Sequence, residues 1–397
     1  MNQNDGCPGN AGNSPQNVTL FALFTAFFRV GLTAFGGPAM IPHIRKLVVE
    51  RHAWIAEKDF RLGLSICQVI PGATVMQLAA YVGLRLRGLT GSLTAFCGFG
   101  LPAFLLIVVL SWLYFQYQDF PVTISAFAGL KVIVLAIILN ATIDFSKKYI
   151  QALPDVLIAA GAAFGILTHI HPALIILAAM LIGIAIYKDT KEKPHNTATN
   201  CNNSNGKNAL RLGASLAALL VILWLVSSDL FWLTFRMMRI DLFAFGGGFA
   251  ALPVMLHEVV TVSGWLSEKT FLDGIALGQI TPGPIVITAA FVGFAIKGLL
   301  GAMVATIGIF SPSILMLVWA VPHCDRLLGS KYFQRAMRAS LATLDGLMAA
   351  TVVALAMPIG WNISGILLGL CAFIALRFKT DILWVVLVGA VASLVLL

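Results

Sequence analysis

The sequence QITPGPIVIT, from Gln279 to Thr288, and its earlier counterpart QVIPGATVMQ, from Gln68 to Gln77, decide how this chain folds. Each stretch places a Pro-Gly pair inside a hydrophobic segment that is otherwise long enough to be a membrane helix. Because proline removes a backbone donor and clashes with the preceding turn, we expect each helix to break there. A break within lipid is tolerated only where its polar backbone groups face protein or a water-filled cavity. The two stretches therefore predict a binding site at mid-membrane depth.

The composition of the whole chain indicates a membrane protein. Hydrophobic residues make up 59% of the 397 positions and charged residues only 11%, which is too little polar surface for a soluble globular protein. Several apolar runs approach or exceed the roughly 20 residues that a helix needs to cross about 30 Å of hydrocarbon. These runs do not alternate polar and apolar residues as the strands of a membrane barrel do. The sequence therefore predicts an all-α polytopic protein of the plasma membrane, with the lipid bilayer as its surroundings.

The net charge and the cysteines narrow the function further. The formal charge of +9 comes from Lys and Arg that are scattered among short loops and form no basic face for nucleic acid. In a membrane protein such an excess usually reflects the positive-inside rule and anionic lipid headgroups. The six cysteines contain no CxxC and no metal-like spacing with His. We therefore expect no nucleic-acid partner, no metal site and no cofactor.

The chain divides into four regions by composition. Residues 1–17 are polar and rich in Gly and Asn, and we expect a disordered N-terminal tail. Residues 18–187 form a first half of apolar runs, and residues 188–211 form a polar, Asn-rich linker. Residues 212–397 form a second half, which begins with one additional apolar run, Leu212 to Val226.

The second half repeats the pattern of the first. FRVGLTAFGGP, from Phe28 to Pro38, matches MRIDLFAFGGG, from Met238 to Gly248, 210 residues later. The two Pro-Gly stretches match at almost the same offset, and Pro102 matches Pro312. Matches at a nearly constant offset indicate a duplicated module, which is a common plan for transporters.

Loop charge indicates that the two copies are inverted relative to each other. The first copy is basic between Ile41 and Arg61, whereas the matching stretch of the second, Ala251 to Asp273, has only Lys269. Further on the bias reverses, since the loop at Asp119 to Pro121 has no Lys or Arg and its counterpart after Pro322 is basic. Basic loops stay in the cytoplasm, so corresponding loops would lie on opposite sides of the membrane.

The number of crossings depends on how the Pro-Gly segments run. If both cross the bilayer fully and Leu212 to Val226 also crosses, the chain has about thirteen spans. If both are instead re-entrant hairpins, the charges between Ile41 and Arg61 stay inside and the number falls toward about ten. The sequence leaves both arrangements open.

Broken helices in a duplicated module favour an anion as the ligand. A half-helix that starts after a Gly-Gly or Pro-Gly motif presents unpaired N–H groups and the positive end of its dipole. A tetrahedral oxyanion needs donors from several directions, which amide, hydroxyl and backbone groups provide. The stretches lack paired carboxylates, so they suit a hard cation poorly. The candidate substrate-binding residues are Arg29, Gly36, Gly37, Gln68, Pro71, Gly72, Thr74 and Gln77 in the first copy, and Arg239, Gly246, Gly247, Gln279, Thr281, Pro282, Gly283 and Thr288 in the second.

Charged residues inside the apolar runs are further candidates. Arg29 and Arg239 occupy equivalent places, and Lys131 lies in the middle of a run. A charge at the bilayer centre costs at least about 2.5 to 3.5 kcal/mol, so charges kept there usually face a cavity or a partner. We assign Lys131, Asp241 and Asp345 to an ion path or to proton coupling. The structural alternatives are that the two arginines snorkel to an interface and that Asp241 pairs with a nearby arginine.

The order of these motifs resembles that of a known family. FGGP at Phe35, Trp54, Gln-x-x-Pro-Gly from Gln68 and a Gly-x-x-G motif from Gly88, repeated after a polar linker, are similar to the chromate ion transporter (CHR) family in its two-domain form. The resemblance implies a membrane transporter that exports chromate, driven by the proton motive force, and confers resistance, with sulfate as a substrate analogue. The chain departs from the family pattern at Ala73, where Pro-Gly-Pro is usual, so we expect the two copies to function unequally.

Other functions share part of this pattern. An importer or exchanger of sulfate-like anions would have the same features, and an anion channel would also suit positive residues along the path. An enzyme is not expected, because the chain has no GxSxG, no HExxH and no paired aspartates at catalytic spacing. A homodimer is the assembly that we keep open.

Overall fold

A computed structural model describes residues 18–33, 40–168, 170–187 and 205–396, and within these ranges the protein is helical. The predicted N-terminal tail and the first Gly-Gly pair, Gly36 and Gly37, lie outside the described residues. The helices are α1 (Leu20–Thr33), α2 (Met40–Arg45), α3 (Glu57–Val69), α4 (Thr74–Tyr117), α5 (Pro121–Tyr149), α6 (Leu153–Leu167), α7 (Pro172–Ile186), α8 (Asn205–Val226), α9 (Ser228–Leu242), α10 (Ala251–Leu256), α11 (Glu268–Ile280), α12 (Thr288–Ala320), α13 (Cys324–Gly329), α14 (Lys331–Ala356), α15 (Ile363–Arg377) and α16 (Ile382–Leu396). Helices α2 and α10 continue as π-helical turns, Lys46–Arg51 and His257–Val262.

The two longest helices each reverse direction at a glycine. Helix α4 bends at Arg87 and Gly88, and α12 bends at the equivalent Lys297 and Gly298. A Cβ on Gly83 would lie 2.1 Å from the carbonyl oxygen of Gly91, eight positions further along. A straight helix would separate such residues by roughly 12 Å. Each helix therefore consists of two antiparallel arms, residues 74–86 and 89–117 in α4 and residues 288–296 and 299–320 in α12.

The Pro-Gly pairs lie at the tips of two helical hairpins. In the first Pro-Gly hairpin, α3 and the first arm of α4 run antiparallel, with Gly63 against the ring of Tyr81 and Arg85 3.2 Å from Asp59. The second Pro-Gly hairpin joins α11 to the first arm of α12 in the same way. Helices α3 and α11 have 13 residues each, or about 20 Å, which is too short to cross about 30 Å of hydrocarbon. Both hairpins thus enter and leave on one side, as in the re-entrant arrangement.

The two Pro-Gly hairpins enter from opposite faces of the protein. Near the start of its second arm α4 contacts the far part of α12, where the rings of Phe96 and Phe310 are 5.6 Å apart. Near its end α4 meets the bend of α12, where Phe115 and Phe294 are 6.1 Å apart. The long second arms of α4 and α12 are therefore antiparallel to each other. The two copies are inverted, as the loop charges predict.

The copies also exchange their long helices. Helix α5 of the first copy packs against α15 and α16 of the second, whereas α14 of the second copy packs against α6 and α7 of the first. Glycines permit the close approach, since a Cβ on Gly183 of α7 would lie 2.4 Å from the Cβ of Ala339 in α14. The additional helix α8 lies against α9 and α12. This exchange locks the two copies into one body.

Two expectations from the sequence need correction. Helix α8 begins at Asn205, so residues 205–211 of the predicted linker are helical. The helix formed by the following apolar run continues backward into these polar residues. Within the described ranges five helical segments are long and apolar enough to cross a membrane: Thr74–Tyr117, Pro121–Tyr149, Asn208–Val226, Ile285–His323 and Lys331–Ala356. Among the shorter apolar segments that the sequence suggested as further crossings, α6 packs against α7 and α15 packs against α16.

Basic residues concentrate on one face of the protein. We call it the basic face; it is the face at which α4 bends at Arg87. Helix α1 begins there, since Arg87 Nε donates to the carbonyl oxygen of Val18 at 2.6 Å. Helix α5 starts where α4 ends and returns to the same face. This face includes Arg45, Lys46, Arg51, Lys58, Arg61, Arg85, Lys147, Lys148, Lys331 and Arg335. The base of the second Pro-Gly hairpin, at the opposite face, has Lys269 and Lys297.

Candidate functional site

A cavity of about 350 Å³ lies where the two copies meet. The tip of the first Pro-Gly hairpin, the Gly-Gly motif of the second copy and the C-terminal part of α5 surround it, and it extends along α5 to the basic face. Its volume falls at the lower end of the range of about 300 to 1,000 Å³ for small-molecule sites. Its polar and backbone lining comes from Gln68, Ala73, Thr74, Asn140, Asp144, Lys148, Tyr149, Gly246, Gly247 and Gly248.

Backbone groups at the cavity are suited to an anion. Gly246 and Gly247 have φ values of 87° and 109°, which residues with a side chain rarely adopt. A Cβ on Gly247 would be 3.6 Å from Thr74 Oγ1, so the Gly-Gly motif lies directly against the start of α4. The amides of Thr74 and Val75 in that first turn have no partner among the described residues. Free amides and the helix dipole together attract negative charge.

Other groups at the first hairpin tip have a structural role. The amide of Gly72 donates to the carbonyl oxygen of Ala244 at 2.9 Å, and the amide of Ala73 donates to Ser313 Oγ at 3.3 Å. Ser313 Oγ in turn donates to Asp241 Oδ2 at 2.7 Å, and Asp241 is 1% exposed. Gly72, a predicted ligand, and Asp241, predicted for the ion path or proton coupling, therefore hold the tip against the second copy.

Two further predicted ligands of the first tip, Pro71 and Gln77, bond to each other instead of lining the cavity. Gln77 is fully buried and its Nε2 donates to the carbonyl oxygen of Pro71 at 2.6 Å. This bond closes the turn that precedes α4. From the first Pro-Gly stretch, Gln68 and Thr74 remain as the predicted residues that line the cavity.

The second Pro-Gly hairpin contributes to the cavity only through Pro284 and Ile285. The hydroxyl groups of Thr281 and Thr288 donate to the carbonyl oxygens of Gly278 and Ile285 within their own helical turns. Gln279 is 5% exposed, and its Nε2 has no partner among the described residues. The two Pro-Gly stretches therefore do not contribute equally to one cavity. The predicted residues of the second stretch are buried and do not line it: Gln279, Thr281, Pro282, Gly283 and Thr288.

Helix α5 supplies polar residues that the sequence interpretation missed. Asn140, Asp144 and Lys148 follow one another at intervals of four, which places them on one face of α5. Asp144 pairs with Arg377 at 2.8 Å, so its charge is compensated. Lys148 lies over the ring of Tyr149 at 4.8 Å and has no carboxylate partner in the described structure. The four-residue spacing at the end of an apolar run was the available signal.

The arginines predicted for the site lie elsewhere. Arg29 is exposed on α1 and forms no ion pair with any described residue. Arg239 lies 3.0 Å from Glu258, a buried carboxylate that also contacts Arg236 at 3.2 Å and His171 at 2.9 Å. The sequence interpretation did not include Glu258 or His171, which are far apart in the chain.

The remaining charged candidates, Lys131 and Asp345, are not part of the cavity lining. Lys131 Nζ lies 3.2 Å from Asp273 Oδ1, and the hydroxyl of Tyr114 donates to Asp273 Oδ2 at 2.9 Å. This cluster lines a separate cavity of about 450 Å³ toward the opposite face. Asp345 is 7% exposed on α14, next to Ser146 of α5.

Comparison with known proteins agrees with the duplicated plan. The family described as chromate transporter matches residues 21–184 and again residues 229–394. An uncharacterized transporter of Methanocaldococcus jannaschii is 37% identical over 388 residues, which is 96% of this chain and 95% of that protein. Chromate transport proteins of Pseudomonas aeruginosa and Cupriavidus metallidurans are 28% and 30% identical, over 91% and 87% of this chain and 87% and 83% of theirs. No solved structure matches the chain.

Proposed function

The chain belongs to the chromate transporter family, and on this basis we propose that it exports chromate from the cytoplasm through the cavity described above. The proton motive force would drive export, and export would confer resistance to chromate. The membrane location and the transporter family follow from the helices and the comparisons. We propose chromate as the substrate, export as the direction and the proton motive force as the driving force.

The cavity at the junction of the copies carries this proposal. It combines free amides at the start of α4, the Gly-Gly backbone of the second copy and the side chains of Gln68, Thr74 and Lys148. These groups are donors or cations, which a tetrahedral dianion requires. The carboxylate of Asp144 is neutralised by Arg377, so it does not repel such a ligand strongly. The same set would bind sulfate, a substrate of equal charge and shape.

Charge distribution supports export. Because basic segments remain on the cytoplasmic side, the basic face faces the cytoplasm, and the cavity reaches that face. Moving one charge through 100 mV is worth about 2.3 kcal/mol, so an inside-negative membrane drives a dianion outward with roughly twice that free energy. A cavity that takes its ligand from the cytoplasm therefore works with the membrane potential.

Asp241 is the residue best placed to connect protons to this cavity. It is buried, its Oδ1 has no partner in the described part of the chain, and Ser313 links its Oδ2 to the amide of Ala73 at the cavity. Protonation of this carboxylate would change the hydrogen bonding of Ser313 and so the position of the hairpin tip. Lys131 lines the separate cavity toward the opposite face, and Asp345 is not part of the lining of this cavity.

Flux measurements in oriented vesicles test the proposal. Everted vesicles that contain the protein should accumulate chromate when the interior is positive and acidic, and excess sulfate should inhibit the accumulation. Asp241→Asn should retain flux down a chromate gradient while losing its response to a pH gradient. Accumulation only in right-side-out vesicles would show an importer instead. A chromate current that ignores the pH gradient in the wild-type protein would show a channel.

A further inference from the structure

A buried polar cluster lies in the half of the membrane opposite the cavity. Glu258 is 0% exposed and lies among three donors: its Oε1 is 2.9 Å from His171 Nε2 and 3.0 Å from Arg239 Nη2, and its Oε2 is 3.2 Å from Arg236 Nη1. The backbone amide of Ala173 donates to His171 Nδ1 at 3.1 Å, and His171 Nε2 lies 2.7 Å from Arg239 Nη2 as well as beside Glu258. Two arginines thus converge on a single carboxylate.

The cluster occupies the place in one copy that the open cavity occupies in the other. The turn between α15 and α16, residues 378–381, lies at the cavity, whose lining includes Leu376 and Ile382. Its equivalent is the turn between α6 and α7, which carries His171. Helix α9 starts at the opposite face, because Asp229 at its beginning pairs with Lys297 at 2.7 Å. The α6–α7 turn is therefore fastened to the α9–α10 hairpin, whereas the α15–α16 turn borders the open cavity.

We propose that Arg236, Arg239 and His171 form a second binding site for a tetrahedral oxyanion, which the Glu258 carboxylate occupies in this structure. The two carboxylate oxygens take up donors that point from three directions, as two oxygens of a dianion would. Two arginines against one carboxylate leave an excess positive charge. The arginine and histidine side chains are 20 to 33% exposed, so a ligand can reach them. This inference rests on the proposed transport function and assigns its exit site.

Protonation of Glu258 and binding of the oxyanion to its arginines would then favour each other. When the carboxylate takes a proton from the opposite face, it loses its charge and its hold on Arg236 and Arg239, which become available to the dianion. The groups that face Glu258 are these two arginines from α9 and His171 from the α6–α7 turn; His257, on the same turn as Glu258, meets the ring of His171 edge-on at 4.9 Å. Release of His171 would free the turn and open the path outward.

Binding to the purified full-length protein tests this site without transport. Calorimetric titration with sulfate, which stays a dianion from neutral to mildly acidic pH, gives both stoichiometry and affinity. At neutral pH we expect about one equivalent for the wild-type protein, and a second equivalent for Glu258→Gln, bound at least about tenfold more tightly than any second-site binding of the wild type. Glu258→Gln with Arg239→Gln should lose that second equivalent. Glu268→Gln, on α11, is the matched control and should resemble the wild type.

The outcomes separate this inference from the proposed function. A folded Glu258→Gln protein with the stoichiometry of the wild type would overturn the second site while leaving the first intact. If that variant does not fold, Glu258→Ala decides, since it also removes the carboxylate and should add the second equivalent, and an unchanged stoichiometry overturns the inference. Wild-type protein that binds neither sulfate nor chromate at any pH would instead contradict the proposed function.

Discussion

Gln68 and Gln279 occupy equivalent positions before the two Pro-Gly pairs, yet their surroundings are opposite. Gln68 is exposed to the cavity that reaches the basic face. Gln279 is 5% exposed, and its Nε2 has no partner among the described residues. An unsatisfied buried donor carries a free-energy cost of about 1 to 3 kcal/mol. The comparison indicates that the two inverted copies are held in different states, one open and one closed.

The contacts that hold the two hairpin tips differ in chemistry as well. Gly72 packs against Ser313, which Asp241 fixes, whereas Gly283 packs against Ala103. Ala103 is the position equivalent to Ser313, so the first tip has a polar attachment that the second tip lacks. The difference gives only the first tip a contact with the carboxylate for which we propose a role in proton coupling.

A clear effect on stability is expected at the first tip. Gly72→Ala places a Cβ 2.0 Å from Ser313 Oγ, at a φ of 118°. Gly247→Ala has a similar φ of 109°, but its Cβ would meet only Thr74 Oγ1 at 3.6 Å, so it is the control for backbone strain. Overpacking costs about 1 to 3 kcal/mol, and we expect Gly72→Ala to be less stable than Gly247→Ala by about that amount. Denaturation of the purified variants measures the difference.

Equal stability of the two alanine variants would show that the tip moves freely and that Ser313 does not fix it. The asymmetry between the tips would then have to come from elsewhere. Gly72→Ala combined with Ser313→Ala should recover part of the loss, because the second substitution removes the nearest atom.

The largest effect on stability is expected at the ion pair on the closed side. Lys131→Met removes the cation next to Asp273, which is 3% exposed and then keeps only Tyr114 as a partner. Breaking a buried pair by removing one partner costs about 3 to 5 kcal/mol. We expect a large loss of thermal stability, measured by unfolding in detergent, and recovery of most of it in Lys131→Met with Asp273→Asn. If Lys131→Met alone were as stable as the wild type, the ion pair would not be structural, and a role of Lys131 in the ion path would again be the better interpretation.

Much of this architecture follows from the sequence because its signals are local. Pro71 and Pro282 break helices wherever they lie, and the constant offset of the motifs and the loop charges predict inverted copies. The re-entrant course of the hairpins was one of two alternatives, since hydropathy alone does not show where an apolar segment turns back. The reversal at Gly88 has no proline to mark it.

The composition of the site was less predictable because it depends on contacts between distant residues. The cavity joins the Pro-Gly tip of the first copy to Gly246 and Gly247 of the second, an exchange that repeated motifs do not specify. Equivalent sequence also says nothing about which copy is open, so Gln279 was expected in the same site as Gln68. Glu258 and His171 are separated by 87 positions, and only the fold brings them together.

Cysteine labelling tests the open and closed states directly. In a background without the native cysteines, Gln68→Cys should react with a membrane-impermeant maleimide from the basic side, because the residue faces the cavity. Gln279→Cys should react at least about tenfold more slowly from either side. Equal rates at the two positions in the absence of substrate would remove the distinction between the copies. A pH gradient that speeds labelling of Gln279→Cys from the opposite side would show that the two states exchange.

The smallest effect is expected at the mouth of the open cavity. Lys148 lines it without a carboxylate partner among the described residues, whereas its neighbour Lys147 lies outside the lining. Lys148→Met removes a charge that attracts the dianion from the cytoplasm, and rim charges act mainly on association rates, with a dependence on salt. We expect chromate uptake by everted vesicles to fall about two- to fivefold at low substrate and low salt, and the difference to shrink as salt is raised. Lys147→Met, which makes the same change in net charge, should have a smaller effect. If the two variants behaved alike, the general charge of the basic face, and not the cavity on the open side, would attract the substrate.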